Sequence, residues 1–349
     1  MKKVLLIMIM ILGMLSTIYS QSVKVLTFDE AVNIALQNNK DLLVEKISLD
    51  NANLDYENKK KDPTTLILSL KQSEFSANLE KVKYENTKLQ VAQSVRSAYF
   101  SVLEAQAQLK LLQKQLDYYK EQFNAVKIKY QVGNATAVDV QEAELNYLST
   151  QNSLASGENS LSNAWSQFWQ VLGVSPIENV QLQELSLVIF NFNLDDLFNI
   201  AQENLSSVVQ AKNNVELYEL QVKLYDNEYT PKADLISARN SLDSAKMTLE
   251  QTLNSTKLSI SQSLNQLNLS LKNIEIQQKN LNLAQENYKI AQIRFDAGLI
   301  TKIDLMNTEI NILNAENSYY SALHTYWKNL DSLSIAVGKA LYEGGEAKK

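Results

Sequence analysis

The segment Leu253-Asn-Ser-Thr-Lys-Leu-Ser-Ile260-Ser-Gln-Ser-Leu-Asn-Gln-Leu267-Asn-Leu-Ser-Leu-Lys-Asn-Ile274-Glu-Ile-Gln-Gln-Lys-Asn-Leu281 carries an apolar side chain at every seventh position, and Tyr288 and Phe295 extend the series. A seven-residue apolar period belongs to α-helices that supercoil left-handed about one another, because it needs slightly fewer residues per turn than a free helix has. The companion positions are mixed: Leu264 and Leu271 continue a seam, whereas Gln278, Gln285 and Gln292 do not. A solid bundle zipped along a wholly apolar seam would not place so many glutamines there. Helices lying side by side and wetted on one face would. The pattern predicts an all-α chain of elongated antiparallel coiled-coil hairpins in a hollow or side-by-side array.

The same series occurs twice. Val95, Val102, Leu109, Leu116, Phe123 and Tyr130 precede the later series by 165 residues, and Tyr130-Gln-Val-Gly133 answers Phe295-Asp-Ala-Gly298 at that offset. Leu172-Gly173 pairs with Val337-Gly338, Asp139 with Asp304, Glu144 with Glu309, Leu148 with Leu313 and Asn152 with Asn317. Further out, Phe28-Asp-Glu-Ala31 matches Leu194-Asp-Asp-Leu197, and Pro63 matches Pro231. A unit this long is a duplicated half-domain, far beyond the 20–50 residues of solenoid arrays. The predicted organisation is a leader over 1–20 and one elongated helical domain over 21–349. That domain has two repeats, about 25–174 and 191–339, with a connector at 175–190.

Long helices are expected near 75–131 and 240–296, each about 85 Å at 1.5 Å per residue. Each turns at a glycine and returns along 136–171 or 301–337, with Val140, Tyr147, Leu154, Leu161 and Phe168 in sevens, answered by Leu305, Ile312, Tyr319, Tyr326 and Leu333. Gly133 and Gly298 suit the left-handed residue after a helix, and Thr136 and Thr301 suit the cap of the returning one. Shorter helices near 28–61 and 193–230 end before Pro63 and Pro231, where proline interrupts the hydrogen-bond ladder. Thr64-Thr-Leu-Ile-Leu-Ser-Leu70 reads as strand-like, and the apolar run Leu185-Ser-Leu-Val-Ile-Phe190 is where the connector would place a short strand.

Composition narrows the function classes. The 349 residues include no Cys, one His, 8 Gly and 3 Pro, with a net charge of -6. There is no disulfide, thiolate metal site or cysteine nucleophile to consider, and an acidic surface argues against nucleic acid. Lys2 and Lys3 before the apolar run Val4 to Ile18 resemble a secretory signal peptide, so the chain is expected in the cell envelope. The other reading of that run is an uncleaved anchor. No Ser-His-Asp order, phosphate loop or carboxylate pair is apparent, and neither enzyme chemistry nor a cofactor is expected. His324 is a lone imidazole with no second nitrogen or thiolate at ligand spacing, and reads as a surface or packing histidine.

The opening Leu26-Thr-Phe-Asp-Glu-Ala-Val-Asn-Ile-Ala-Leu-Gln-Asn-Asn39, the duplication, the two Tyr/Phe-x-x-Gly tips and the acid six residues beyond each glycine resemble outer-membrane efflux proteins of the TolC type, from about Val25 to Gly338. The resemblance implies a protomer of a TolC-like periplasmic helical barrel, a homotrimer that reaches the outer membrane. It would act as the passive exit duct for an inner-membrane pump joined through a periplasmic adaptor. By the same resemblance Gly133, Asn134, Gly298, Leu299 and Ile300 are adaptor-docking tips, and Asp139 and Asp304 border a pore constriction. The plainer reading of the two acids is the first turn of a returning helix, where the dipole favours a carboxylate. Two departures matter. Asn307 and Ile300 stand where relatives often place an acid and an arginine. No stretch after Pro63 or Pro231 is long enough for membrane strands of about 9–11 residues. The chain is therefore expected to be a shortened relative, with a non-conducting coiled-coil spacer or envelope scaffold as the alternative.

Overall fold

The computed structural model describes residues 24–343 and 346–347, with side chains through Tyr342; the proposed leader lies outside the described residues. Strand β1 (Lys24–Leu26) leads into α1 (Phe28–Asn38), α2 (Lys40–Lys61), α3 (Ile67–Gln131) and α4 (Ala137–Leu172). After β2 (Val180–Leu182) the series returns as α5 (Leu194–Asn204), α6 (Ser206–Tyr225), α7 (Lys232–Asp296) and α8 (Lys302–Val337), then the short strands β3 (Tyr342–Glu343) and β4 (Glu346–Ala347). Helices α3 and α7 have 65 residues each and α4 and α8 have 36 each. At 1.5 Å per residue the long pair run about 97 Å.

The helices lie side by side. From the glycine tips to the waist the order is α4, α3, α8, α7; from the waist to the proline turns it is α2, α3, α6, α7. Helix α7 is thus an edge of the layer along its whole length, with α4 and then α2 forming the other edge. The inner seam of α7 is the heptad series, with Ile260, Leu267, Ile274 and Leu281 all buried. A fully buried aliphatic side chain contributes roughly 1.5–3 kcal/mol, so four in line hold α7 to its neighbours.

The waist holds the core. Phe28, Tyr99, Phe100, Phe168, Trp169, Leu172, Tyr326, Trp327 and Leu330 meet there from α1, α3, α4 and α8. Strands β1 and β2 pair in parallel, Lys24 with Val180 through Leu26 with Leu182. The Tyr99 hydroxyl lies 2.9 Å from the carbonyl of Leu26 and 2.7 Å from that of Gln183, closing the end of this pair.

Three local expectations change. Residues 64–70 are not strand: α3 starts at Ile67, because Leu70, Ser73 and Ala77 continue a helical face whose last two members are buried. In the connector the strand lies at 180–182, opposite β1, and not in the apolar run 185–190, whose Phe190 packs into the core as irregular chain. The opening helix of each half is broken in two, at Asn39 and Leu205. Asn39 ends α1 in an extended conformation and its side chain then caps α2 by accepting from Leu42 N at 2.8 Å.

Candidate functional site: the glycine tips and the waist behind them

Each tip is built from two local motifs. At the end of α3, Gly133 has φ of 79°, its N–H donates to Tyr130 O at 3.0 Å, and Asn134 N donates to Lys129 O at 2.8 Å. At the end of α7, Gly298 has φ of 71°, with Gly298 N to Phe295 O at 2.9 Å and Leu299 N to Arg294 O at 2.8 Å. This paired bonding is the Schellman helix stop, which needs a left-handed residue that glycine adopts at low cost. The motif usually buries a hydrophobic contact from the residue after the glycine. Here that residue is Asn134 in one tip and Leu299, 74% exposed, in the other. Val132 is also exposed and Ile300 half-buried. The second tip is the more apolar of the two.

The return helices begin with matching capping boxes. Asp139 Oδ2 accepts from Thr136 N at 2.7 Å and its hydroxyl at 2.9 Å, while Thr136 Oγ1 accepts from Asp139 N at 3.2 Å. Asp304 and Thr301 repeat the arrangement at 2.9, 2.8 and 3.2 Å. The threonine amides, then the hydroxyls, hold both carboxyl groups below the usual range. Both acids therefore close capping boxes with the threonines, which accounts for their spacing from the glycine, and both are exposed. The two tips are neighbours because α3 packs on α8, and ion pairs cross that seam: Lys302 to Glu121 at 3.3 Å and Lys114 to Glu309 at 2.7 Å.

The waist holds two charged clusters that sequence reasoning missed. Arg96 is fully buried; its Nε donates to Asp331 at 2.6 Å, and Tyr342 bonds to both partners. The guanidinium lies 3.7 Å from the Phe28 ring centre and 5.0 Å from that of Trp327, so aromatic faces share its charge where no second acid is present. His324, 1% exposed, stacks on Phe100 at 4.0 Å. Its Nδ1 lies 2.9 Å from Glu104 and its Nε2 3.2 Å from Glu184. Burial opposes a charged ring, but the two carboxylates outweigh it and hold the histidine pKa above its usual value. The His324 ring thus ties α3, the connector and α8 together. The available signal was charge set among apolar residues of the helices: Arg96 within Val91 to Phe100 and Asp331 between Leu330 and Leu333. Among the described residues no group of acids and histidine is placed to hold a metal ion.

A duplicated hairpin of long helices, turned by glycine at one end and belted by a small mixed core, defines the protomer class of helical-barrel channels. The sequence model of the family described as "Outer membrane efflux protein" matches residues 67–174 and 218–339, and the chain belongs to that family. Outer membrane protein TolC of Escherichia coli (strain K12) is 26% identical over 190 residues, covering 51% of this chain and 36% of TolC. The chain thus matches little more than a third of that relative's length. The fold is similar to the CmeC outer membrane channel of Campylobacter jejuni, with a TM-score of 0.67, 15% identity and coverage of 90% of this chain and 86% of that one. It is also similar to the outer membrane protein VceC of Vibrio cholerae, with a TM-score of 0.64, 14% identity and coverage of 89% and 96%.

Proposed function

We infer that this chain is the duct subunit of a tripartite export system. Three copies close into a ring of helices, an adaptor docks on the glycine tips, and substrate delivered by an inner-membrane pump leaves passively through the middle. The observation that carries this reading is a second apolar stripe on α7. Ile236, Met247, Leu258, Leu269, Ile276, Leu283 and Ile290 are all exposed, on the side away from the buried heptads. Their spacings are three elevens followed by three sevens. At 100° per residue an eleven drifts forward by about 20° and a seven back by about 20°, so the stripe swings by about 60° to Leu269 and returns by Ile290, staying on one side of the helix. The opposite edge has its own exposed residues: Leu43, Val44, Ile47 and Leu54 on α2, and Val138, Leu145 and Leu148 on α4.

An apolar edge that long is costly in water and calls for a partner. Pairing one edge with the other edge of the next copy is a head-to-tail contact, which closes into a ring when the rotation allows. The family supplies the number three. The accompanying organisation is a leader over 1–20, followed by repeats of about 25–174 and 191–339 acting as one unit across the envelope to the outer membrane.

The docking part has its own test. A photo-crosslinking residue at Asn134 or Leu299 should capture the adaptor encoded by the same organism, and one at the exposed Lys40 should not. Equal capture from all three positions would overturn the assignment of the tips. In the pore reading, Asp139 and Asp304 add fixed negative charge near the mouth, which favours cations over anions.

A further inference from the structure

The proline end of the molecule is left without a role by the duct reading. Tyr229 there is 96% exposed and Leu66 76%, the two highest values among the exposed large apolar side chains of the described residues. Neither sits on a slack loop. Asp62 Oδ1 accepts from the amide of Thr64 at 2.9 Å and from its hydroxyl at 2.7 Å. Asn227 Oδ1 accepts from Tyr229 N at 2.9 Å and Thr230 N at 3.0 Å, while Nδ2 donates to Leu224 O at 2.8 Å and Thr230 Oγ1 at 2.9 Å. Side-chain bonds of this kind fix tight turns. Each turn therefore holds an apolar residue out into solvent, with Ile67 and Ile236, each 58% exposed, just behind.

Three observations choose the partner. The turns span only 62–66 and 226–231, and helix resumes immediately after each, so no membrane strand is interposed. Over 59–66 and 226–236, Lys59, Lys60, Lys61 and Lys232 are matched by Asp62, Asp226, Glu228 and Asp234. This end therefore carries no net charge to select an acidic or basic protein, or an anionic lipid. Finally, the side chains are of the kind that settles at a lipid boundary: tyrosine has an apolar body with a polar tip, and lysine can lay its stem along apolar surface with its charge in water. Single projecting points suit a fluid surface, which needs no matching socket.

We propose that the proline end rests directly on a lipid bilayer, with Leu66 and Tyr229 inserted shallowly at the headgroup boundary, so that lipid covers the end of the helices. The contact is a seat and not a span: no described helix is long and apolar enough to cross a membrane. The proposal rests on the duct reading, because a ring of three copies sets six such turns in one plane and multiplies weak insertions by avidity.

The chain has no Cys, so E228C gives a unique labelling site beside Tyr229. The full chain should float with phosphatidylcholine vesicles, and a polarity-sensitive dye at E228C should shift to the blue while the same dye at L299C does not. The L66D/Y229D variant should stay at the bottom of the gradient with unchanged helical content and unchanged native mass. Adding phosphatidylglycerol should change the bound fraction by less than about twofold, since this end has no excess of cations for an anionic surface to attract. Failure of the native chain to float, flotation of the double variant, or binding only to anionic vesicles overturns the proposal. The duct reading fails separately, through a native mass of one chain, whatever the vesicles show.

Discussion

Gly338 and Gly298 end their helices in the same way, with φ of 70° and 71° and the same pair of backbone bonds, yet their surroundings are opposite. A Cβ on Gly338 would stand 2.3 Å from Asn204 O, whereas one on Gly298 would meet nothing within 4 Å. The first repeat shows the same contrast: a Cβ on Gly173 would stand 3.0 Å from Asn38 Cβ, and one on Gly133 would meet nothing within 4 Å. At the waist the left-handed turn is locked into the joint between helices, and Asn86 there donates to both Asn204 O and Gly338 O, at 3.0 and 3.1 Å. At the tips the turn serves only to reverse the chain, and its exterior is left free. Stability resides in the waist, and the tips are available for contact.

The contrast can be broken most severely at the buried pair. Asp331→Asn leaves Arg96 buried without a countercharge, and breaking such a pair costs roughly 3–5 kcal/mol; the chemical-denaturation midpoint should fall accordingly. Gly338→Ala comes next, at about 3 kcal/mol, because left-handed strain and a backbone collision act together. If D331N or G338A melts like the native protein, the waist is not where the fold is held.

The histidine clamp sharpens the comparison through pH. His324 has a raised folded pKa, so its contribution is complete below the unfolded value of about 6.5 and is lost as pH rises through the higher folded value. His324→Gln should therefore cost about 2 kcal/mol near pH 6, in the range of hydrogen bonds to charged groups. The gap between variant and native protein should narrow as pH is raised toward 9. A gap that widens with pH would reverse the assigned charge. The smallest effect belongs to the tips: Gly133→Ala or Gly298→Ala should cost about 1 kcal/mol of local strain. Hydrogen exchange should speed up near residues 128–140 or 293–305, with the global midpoint almost unmoved.

Much of this architecture is readable in the chain because a period sustained over forty residues averages out local ambiguity. The heptads of α3 and α7, the glycine stops and the threonine caps are each set by residues close in sequence. The capping boxes were half legible: Thr136 and Thr301 as caps were plain, while Asp139 and Asp304 as their reciprocal partners follow only when the three-residue spacing is weighed. The run 64–70 misled because β-branched and aliphatic residues over seven positions suit a strand locally, and the helical face formed with Ser73 and Ala77 overrides that preference. The breaks at Asn39 and Leu205 were hidden, since neither is proline or glycine. The waist clusters were legible only as charges set among apolar residues, and their pairing could not be read: His324 lies 220 residues from Glu104 and 140 from Glu184, and Arg96 lies 235 from Asp331. Partners so far apart are brought together only by the duplicated hairpins folding onto each other.

The exposed edge of α7 is the feature on which the functional account depends most, and native mass spectrometry of the purified chain tests it directly. The account predicts a species of three chains, and a single chain with unchanged helicity for I276E/L283E, whose glutamates interrupt the stripe. A single-chain mass for the native protein, or three chains persisting in the variant, would contradict it.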